Sequence, residues 1–106
     1  MSENKYAALI QIGYFKNCFE ADSPTGIIRK AESIQDFDCI VRMGRMAEGK
    51  KGQKELDKLE AFLIKYHDGD LTMEDIQNLD VNLSIGSITC YAIAETDADI
   101  ERLKAL

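Results

Sequence analysis

The chain carries one histidine and three cysteines, side chains that often form a nucleophile and its base. Because His67 is the single histidine, a zinc site that needs two histidines is excluded. A Cys-His pair would require the histidine to meet a cysteine in space, and no local pattern supports this. The cysteines are Cys18, Cys39 and Cys90, each within an apolar run typical of reduced core thiols. We therefore expect no catalytic residue, no metal site and no cofactor.

The segment from His67 to Asp75 is rich in acids and has part of the pattern of a calcium-binding loop. Aligning Gly69 with the invariant glycine of that loop places Ile64 at the first position and Tyr66 at the third. Neither side chain offers an oxygen ligand suited to calcium. The segment instead predicts the end of one helix and the capped start of another.

The segment Gly49-Lys50-Lys51-Gly52 lies between two predicted helices. It resembles the Gly-x-x-Gly loop with which KH domains clamp a nucleic-acid backbone, and the hairpin and helix downstream resemble that family's order of elements. The resemblance implies a nucleic-acid-binding module that uses Arg45, Gly49, Lys50, Lys51, Gly52 and Lys54. The other interpretation is a solvated turn between two helices.

The net charge of −6 is unevenly distributed, because residues 66 to 101 contain nine acids and neither lysine nor arginine. Such a surface repels nucleic acid and anionic lipid and attracts basic partners. The residues predicted to contact a partner are Asp68, Asp70, Glu74, Asp75, Asp97, Asp99 and Glu101. The alternative is a solvated acidic face that has no partner.

The 106 residues predict a single domain, residues 1–106, with enough apolar content for a core. No apolar run approaches the roughly 18 residues that a membrane span needs, and the first residues lack the pattern of a signal peptide. Together with the unpaired cysteines, this predicts a cytoplasmic protein that does not enter membranes.

The segment from Asp80 to Glu95 predicts a two-stranded hairpin around which the chain is organised. Its first half, which includes Ile85, alternates apolar and polar residues, and Gly86-Ser87 interrupts it. The second half is apolar on both faces, so we expect a strand that is central in the sheet or covered twice. Strict alternation assigns its residues to two sides, Cys90 with Ala92 and Tyr91 with Ile93.

The segment from Lys5 to Ala21 has apolar residues at a spacing of two, which favours a strand, although part of it also fits a helical stripe. We expect Ser23-Pro24-Thr25-Gly26 to form the turn of a hairpin, with residues 27 to 31 as the returning strand. The competing interpretation makes Ser23 the N-cap of a short helix that begins at Pro24.

Ser33 with Asp36 predicts the capped start of a helix that ends near Gly49. Its buried face would carry Ile34, Phe37, Val41 and Gly44. Glycine inside a helix costs about 1 kcal/mol relative to alanine, so we expect another backbone to approach Gly44 closely.

Three further helices follow from apolar spacing and capping residues. The first runs from about Gln53 to Tyr66, and the second starts at Thr72 with Asp75 as its capping partner. The third starts at Thr96 or Asp97. The apolar stripes are Leu56, Leu59, Phe62, Leu63 and Tyr66 for the first of these helices, and Ile100, Leu103 and Leu106 for the last.

These elements predict an α+β fold, with a predominantly antiparallel sheet built from an N-terminal and a C-terminal hairpin and packed with three to four helices. For function we expect a small acidic protein that occupies a basic site on a macromolecular partner without catalysis. Inhibitors of nucleic-acid enzymes, immunity proteins that neutralise a toxin and phage anti-defence proteins share this size and charge. A homodimer is left open, because a positive and a negative half could meet between copies.

Overall fold

The computed structural model describes residues 5–84 and 86–106, with the backbone alone for residue 51. Four strands form one antiparallel sheet in the order β2-β1-β4-β3. The strands are β1 (Tyr6–Ile12), β2 (Phe15–Ala21), β3 (Asp80–Leu83) and β4 (Gly86–Ala94). The C-terminal hairpin is confirmed, and β4 lies inside the sheet, as its apolar faces predicted. Ile85, predicted to belong to this hairpin, lies outside the described residues.

Five helices of the described chain cover the two faces of the sheet. They are α1 (Pro24–Glu32), α2 (Phe37–Ala47), α3 (Lys50–Asp68), α4 (Met73–Gln77) and α5 (Asp97–Lys104). Helices α1 to α4 enclose the main core, which includes Ile10, Phe37, Leu59 and Ile88. Helix α5 encloses a smaller second core on the opposite face, formed by Ala7, Leu9, Ala94, Ile100 and Leu103. The predicted α+β fold is thus confirmed, and no helix within the described ranges is long and apolar enough to cross a bilayer.

The N-terminal hairpin turns earlier than the sequence predicted. Ile12 pairs with Phe15, so the turn consists of Gly13 and Tyr14, and Gly13 supplies the positive φ of 60° that such a turn requires. The prediction of a returning strand over residues 27 to 31 is wrong, because that segment belongs to α1. Ser23 is the N-cap of α1 and its hydroxyl accepts a hydrogen bond from the Gly26 amide at 3.0 Å. The competing interpretation was therefore correct.

Helix α2 starts later than predicted. Asp36 is its N-cap, and the carboxylate accepts a hydrogen bond from the Cys39 amide at 3.2 Å. Ser33 instead ends α1, where its hydroxyl donates to the Lys30 carbonyl. As a result Ile34 lies outside the helix and is 44% exposed, so its assignment to the buried face is wrong.

The remaining capping signals are confirmed. Helix α3, however, starts at Lys50 and not near Gln53, and Leu106, predicted for the apolar stripe of the last helix, lies outside α5 and is 80% exposed. Gly69, with φ of 76°, ends α3, Thr72 and Asp75 form the predicted capping box of α4, and Thr96 caps α5. The neighbour of Gly44 is a side chain and not a backbone: a Cβ there would lie 2.6 Å from Leu56 Cδ2. Close packing of α2 on α3 thus explains this glycine.

A β-bulge in β4 changes which residues share a face. Leu9 pairs with Ala92 and Ile10 with Cys90, so Tyr91 has no partner on β1. The predicted grouping of Cys90 with Ala92 is therefore wrong. After the bulge Ile93 returns to the main core, on the same side as Cys90, while Ala92 packs on the second core.

Candidate functional site

All seven predicted partner-binding acids lie toward one end of the sheet, opposite the two hairpin turns. The chain between α4 and β3 runs beside the far half of β4, where the Leu79 carbonyl accepts a hydrogen bond from the Cys90 amide at 2.9 Å. Helix α5 starts just beyond the end of β4. The acids are nevertheless divided between two layers, because α4 packs on the main core and α5 on the second core.

Three of these seven acids are neutralised within the molecule. Lys65 Nζ lies 3.0 Å from Asp75 Oδ1, Arg102 pairs with Asp99, and Lys104 Nζ lies 3.7 Å from Glu101 Oε1. The Lys65–Asp75 pair joins α3 to α4, whereas the other two pairs lie within α5. The role of these three acids as partner contacts stays a prediction.

The Asp75 carboxylate is a structural group of the α3–α4 junction. Partial burial opposes its ionisation, but hydrogen bonds from Thr72 and Lys65 outweigh this effect and hold the pKa of Asp75 below its ordinary value. The ionised carboxylate closes the capping box, since it accepts a hydrogen bond from the Thr72 amide at 3.0 Å. Ionisation of Asp75 thus stabilises the fold.

Five exposed acids at this end form no ion pair with any cation of the described residues. They are Asp68, Asp70, Glu74, Glu95 and Asp97, and we call them the acidic end. Four belong to the predicted set, whereas Glu95 was left out of it. The sequence pattern did not single out Glu95, because the position of this residue beside the start of α5 depends on β4 ending at Ala94.

The opposite end of the molecule is apolar. The two hairpin turns and α2 enclose an open groove of about 560 Å³, lined by Tyr14, Phe15, Ile40, Met43 and Leu83 among others. Tyr14 is fully exposed, and Phe15 and Met43 are 65% and 52% exposed. Sequence periodicity missed this groove because its residues come from turns and from the outer side of α2.

The Gly49-Lys50-Lys51-Gly52 segment is not a loop. Gly49 is the N-cap of α3, and Lys50, with the backbone of residues 51 and 52, forms the first turn of the helix. Arg45 Nη2 pairs with Glu60 Oε2 at 2.5 Å and with Asp57 Oδ1 at 3.7 Å, so its charge is shared with acids. Lys54 is exposed, and the side chain of Lys51 lies outside the described residues. The geometry thus differs from the loop that the KH resemblance implied.

His67 lies beside Asp38, the residue that precedes Cys39, and no hydrogen bond links the histidine to a cysteine among the described residues. His67 Nε2 contacts Asp38 Oδ2 at 3.0 Å, and Cys39 Sγ lies 3.7 Å from Met43 Sδ. Burial, together with the charge of Glu20, raises the pKa of the Cys18 thiol, and burial raises that of Cys90 to about 11. A raised pKa lowers the fraction of nucleophilic thiolate at neutral pH.

Three carboxylates near the start of α2 approach one another closely enough to share an ion. Oxygens of Glu32, Asp36 and Asp38 lie within 4.8 Å of one another. Each carboxylate already has a structural partner: Glu32 accepts from the Phe37 amide, Asp36 caps α2, and Asp38 contacts His67. Their arrangement is therefore explained by the connection between α1 and α2.

Comparisons with protein-family models, with curated proteins and with solved structures found no match to this chain.

Proposed function

We propose that the protein acts by binding and not by catalysis, with the acidic end occupying a basic site on a macromolecular partner. The observation that carries this proposal is the position of five exposed carboxylates that pair with no cation of the described residues, where α3, α4 and α5 meet the same end of the sheet. Asp68, Glu74 and Asp97 belong to helices, and Asp70 and Glu95 lie in the short connections beside them. Backbones fixed in helices reduce the conformational entropy that is lost when the first three carboxylates bind. A partner of this kind would be a nucleic-acid enzyme or a toxin, both of which present basic surfaces.

Charge on a rigid surface acts mainly on the rate of association. Complementary charges steer two proteins together before contact, and this steering weakens as salt shortens the Debye length. The net charge of −6 extends that attraction beyond the acidic end itself. The partner should therefore bind quickly at low salt and more weakly at high salt.

Neutralising the acidic end is expected to weaken the complex. The variants D70N/E74Q and E95Q/D97N each remove two charges, and each should raise the Kd of the partner about tenfold, mostly by slowing association. Affinity is measured by surface plasmon resonance at about 0.05 and 0.5 M salt, on the partner recovered from host extract by the immobilised chain.

The matched control is D57N/E60Q, which removes the same charge from the acids that pair with Arg45. It should change the Kd by no more than about twofold, as expected for charges distant from the contact. Equal weakening by all three variants, or a Kd that does not change with salt, would contradict a specific contact at the acidic end.

The second candidate is nucleic-acid binding at the start of α3. The first turn of this 19-residue helix contains no acid and begins with Lys50, so the helix dipole and a lysine both favour an anion there, although the carboxylate of Glu48 lies close to Gly52. Lys54 lies on the next turn. This combination, rather than a loop, is what would contact a phosphate.

Replacing both lysines with aspartate tests the second candidate. K50D/K51D should weaken binding of a fluorescent single-stranded RNA or DNA at least about tenfold, because contacts with phosphates are lost. Each lost contact should also lower the salt dependence of the affinity. Acids at a helix start stabilise it, so thermal unfolding should be unchanged or improved. The control K5D/R29D makes the same charge change away from α3 and should retain binding. Absence of binding by the unmodified chain would end this alternative.

A further inference from the structure

The two edges of the sheet are treated differently by the rest of the molecule. At the β3 edge three side chains bond the backbone groups that point away from the sheet. Lys58 Nζ donates to the Asp80 carbonyl at 3.2 Å, and Glu55 Oε1 accepts from the Asn82 amide at 3.0 Å. The next outward amide, that of Ser84, donates to the Glu48 carboxylate. Helix α3 and Glu48, the C-cap of α2, therefore close this edge to further strands.

At the β2 edge, no strand of the described residues pairs with the side that faces away from β1. Ile12 and Phe15 close a two-residue turn, so the alternation of an antiparallel ladder directs residues 15, 17, 19 and 21 toward β1. Lys16, Cys18 and Glu20 consequently point their amides and carbonyls outward. Among the described residues, the single side chain bonded to these groups is that of exposed Lys30, which donates to the Glu20 carbonyl.

We propose that β2 is the interface of a homodimer, in which the β2 strands of two copies pair antiparallel across a two-fold axis at Cys18. The sheet would then run continuously through eight strands. This places Cys18 opposite Cys18 of the second copy, and Lys16 opposite Glu20 of the second copy. All outward amides and carbonyls of these residues face a complementary group, and Lys30 moves to solvent.

Charge complementarity selects this register and this partner. Pairing about Cys18 puts two Lys16–Glu20 pairs directly opposite each other on one face, where Glu20 also lies 3.4 Å from Lys104 of its own chain. A shift of the axis to residue 17 removes both pairs, and a shift to residue 19 replaces them with Lys16 opposite Asp22, which lies beyond the end of β2. An unrelated strand would not supply that self-complementary order. The same register sets Phe15, which is 65% exposed in the single chain, opposite Ala21 of the second copy. The dimer thus gives a second apolar contact to an otherwise exposed aromatic ring.

The proposal is tested by exchanging the two charges. Sedimentation equilibrium of the unmodified chain should show a species of twice its mass, and K16E and E20K should each raise the dimer Kd about tenfold by setting like charges opposite each other. The double variant K16E/E20K restores opposite charges and should return the Kd to within about threefold of the unmodified chain. Weakening by the single changes without recovery in the double variant would overturn the proposal.

A proline at the axis provides an independent test. C18P removes an amide that points away from β1, so it should leave the β1–β2 ladder and the circular dichroism spectrum intact while abolishing the dimer. A dimer that survives C18P with a native spectrum must use another surface, such as the apolar groove, and would overturn the proposal. A chain that stays monomeric up to about 1 mM would overturn it as well. If C18P fails to fold, the charge exchange decides.

Discussion

Replacing Phe37 with alanine is expected to lower the free energy of unfolding by about 3–5 kcal/mol. Phe37 is 0% exposed and is the first residue of α2, where its ring enters the main core. Its amide also donates to the Glu32 carboxylate at 3.1 Å, so the ring and the backbone together fix where α2 starts. The cavity left by the ring would border this junction. Urea unfolding monitored by circular dichroism measures the loss.

Ile34 provides the control for this change. The sequence assigned Ile34 and Phe37 to the same buried helix face, but the structure leaves Ile34 44% exposed in the connection before α2. I34A should therefore cost less than about 1 kcal/mol. Similar losses for the two variants would mean that Ile34 is as buried as Phe37, as the sequence predicted, and would contradict the exposed position of Ile34.

The helices that the sequence predicted well are those whose boundaries are set by local chemistry. The capping box of Thr72 and Asp75 and the left-handed glycine at Gly69 depend on residues within one turn of the chain. Helix α2 was placed less well because two capping residues, Ser33 and Asp36, stood at the same end. Which of them caps α2 depends on the burial of Phe37, and burial is a tertiary property.

The N-terminal hairpin shows the same limit. Gly13-Tyr14 and Ser23-Pro24-Thr25-Gly26 are both acceptable turns, and local preferences do not choose between them. The choice follows from β1 pairing with β2 on one side and with β4 on the other. A turn at Gly13 gives β1 a seven-residue partner and frees Pro24 to start α1, which covers the main core.

The candidate site was predictable in composition but not in detail. Counting charges identified the acidic part of the chain, and four of the seven chosen acids belong to the acidic end. The other three could not be separated from them, because the Lys65–Asp75 pair crosses from α3 to α4. The helix pairs of Arg102 with Asp99 and of Lys104 with Glu101 depend on where α5 begins. Pairing of charges is thus decided by the packed helices and not by composition.

Deleting the bulge residue of β4 should destabilise the fold much less than deleting a paired residue of the same strand. Deletion of Tyr91 joins Cys90 directly to Ala92 and leaves every remaining pair with β1 unchanged. The losses are the hydrogen bond from Tyr91 Oη to Gln11 Oε1 at 2.8 Å and the contact of the ring with Lys16, whose Nζ lies 5.1 Å from the ring centroid. The free energy of unfolding should fall by about 1–2 kcal/mol.

Deletion of Thr89 should lower the free energy of unfolding by about 4 kcal/mol or more, a large part of the stability of a domain of this size. If Ile88 and Ala92 both keep their partners on β1, the bulge is lost, and Tyr91 takes the place of Cys90 and pushes a phenol into the main core. If Cys90 keeps its partner instead, Ile88, which is 1% exposed, takes the place of Thr89, turns outward and loses its pairing with Val81. Urea unfolding of the two deletions distinguishes these results. Equal destabilisation would contradict the bulge, because only a residue without a partner can be removed without shifting the register.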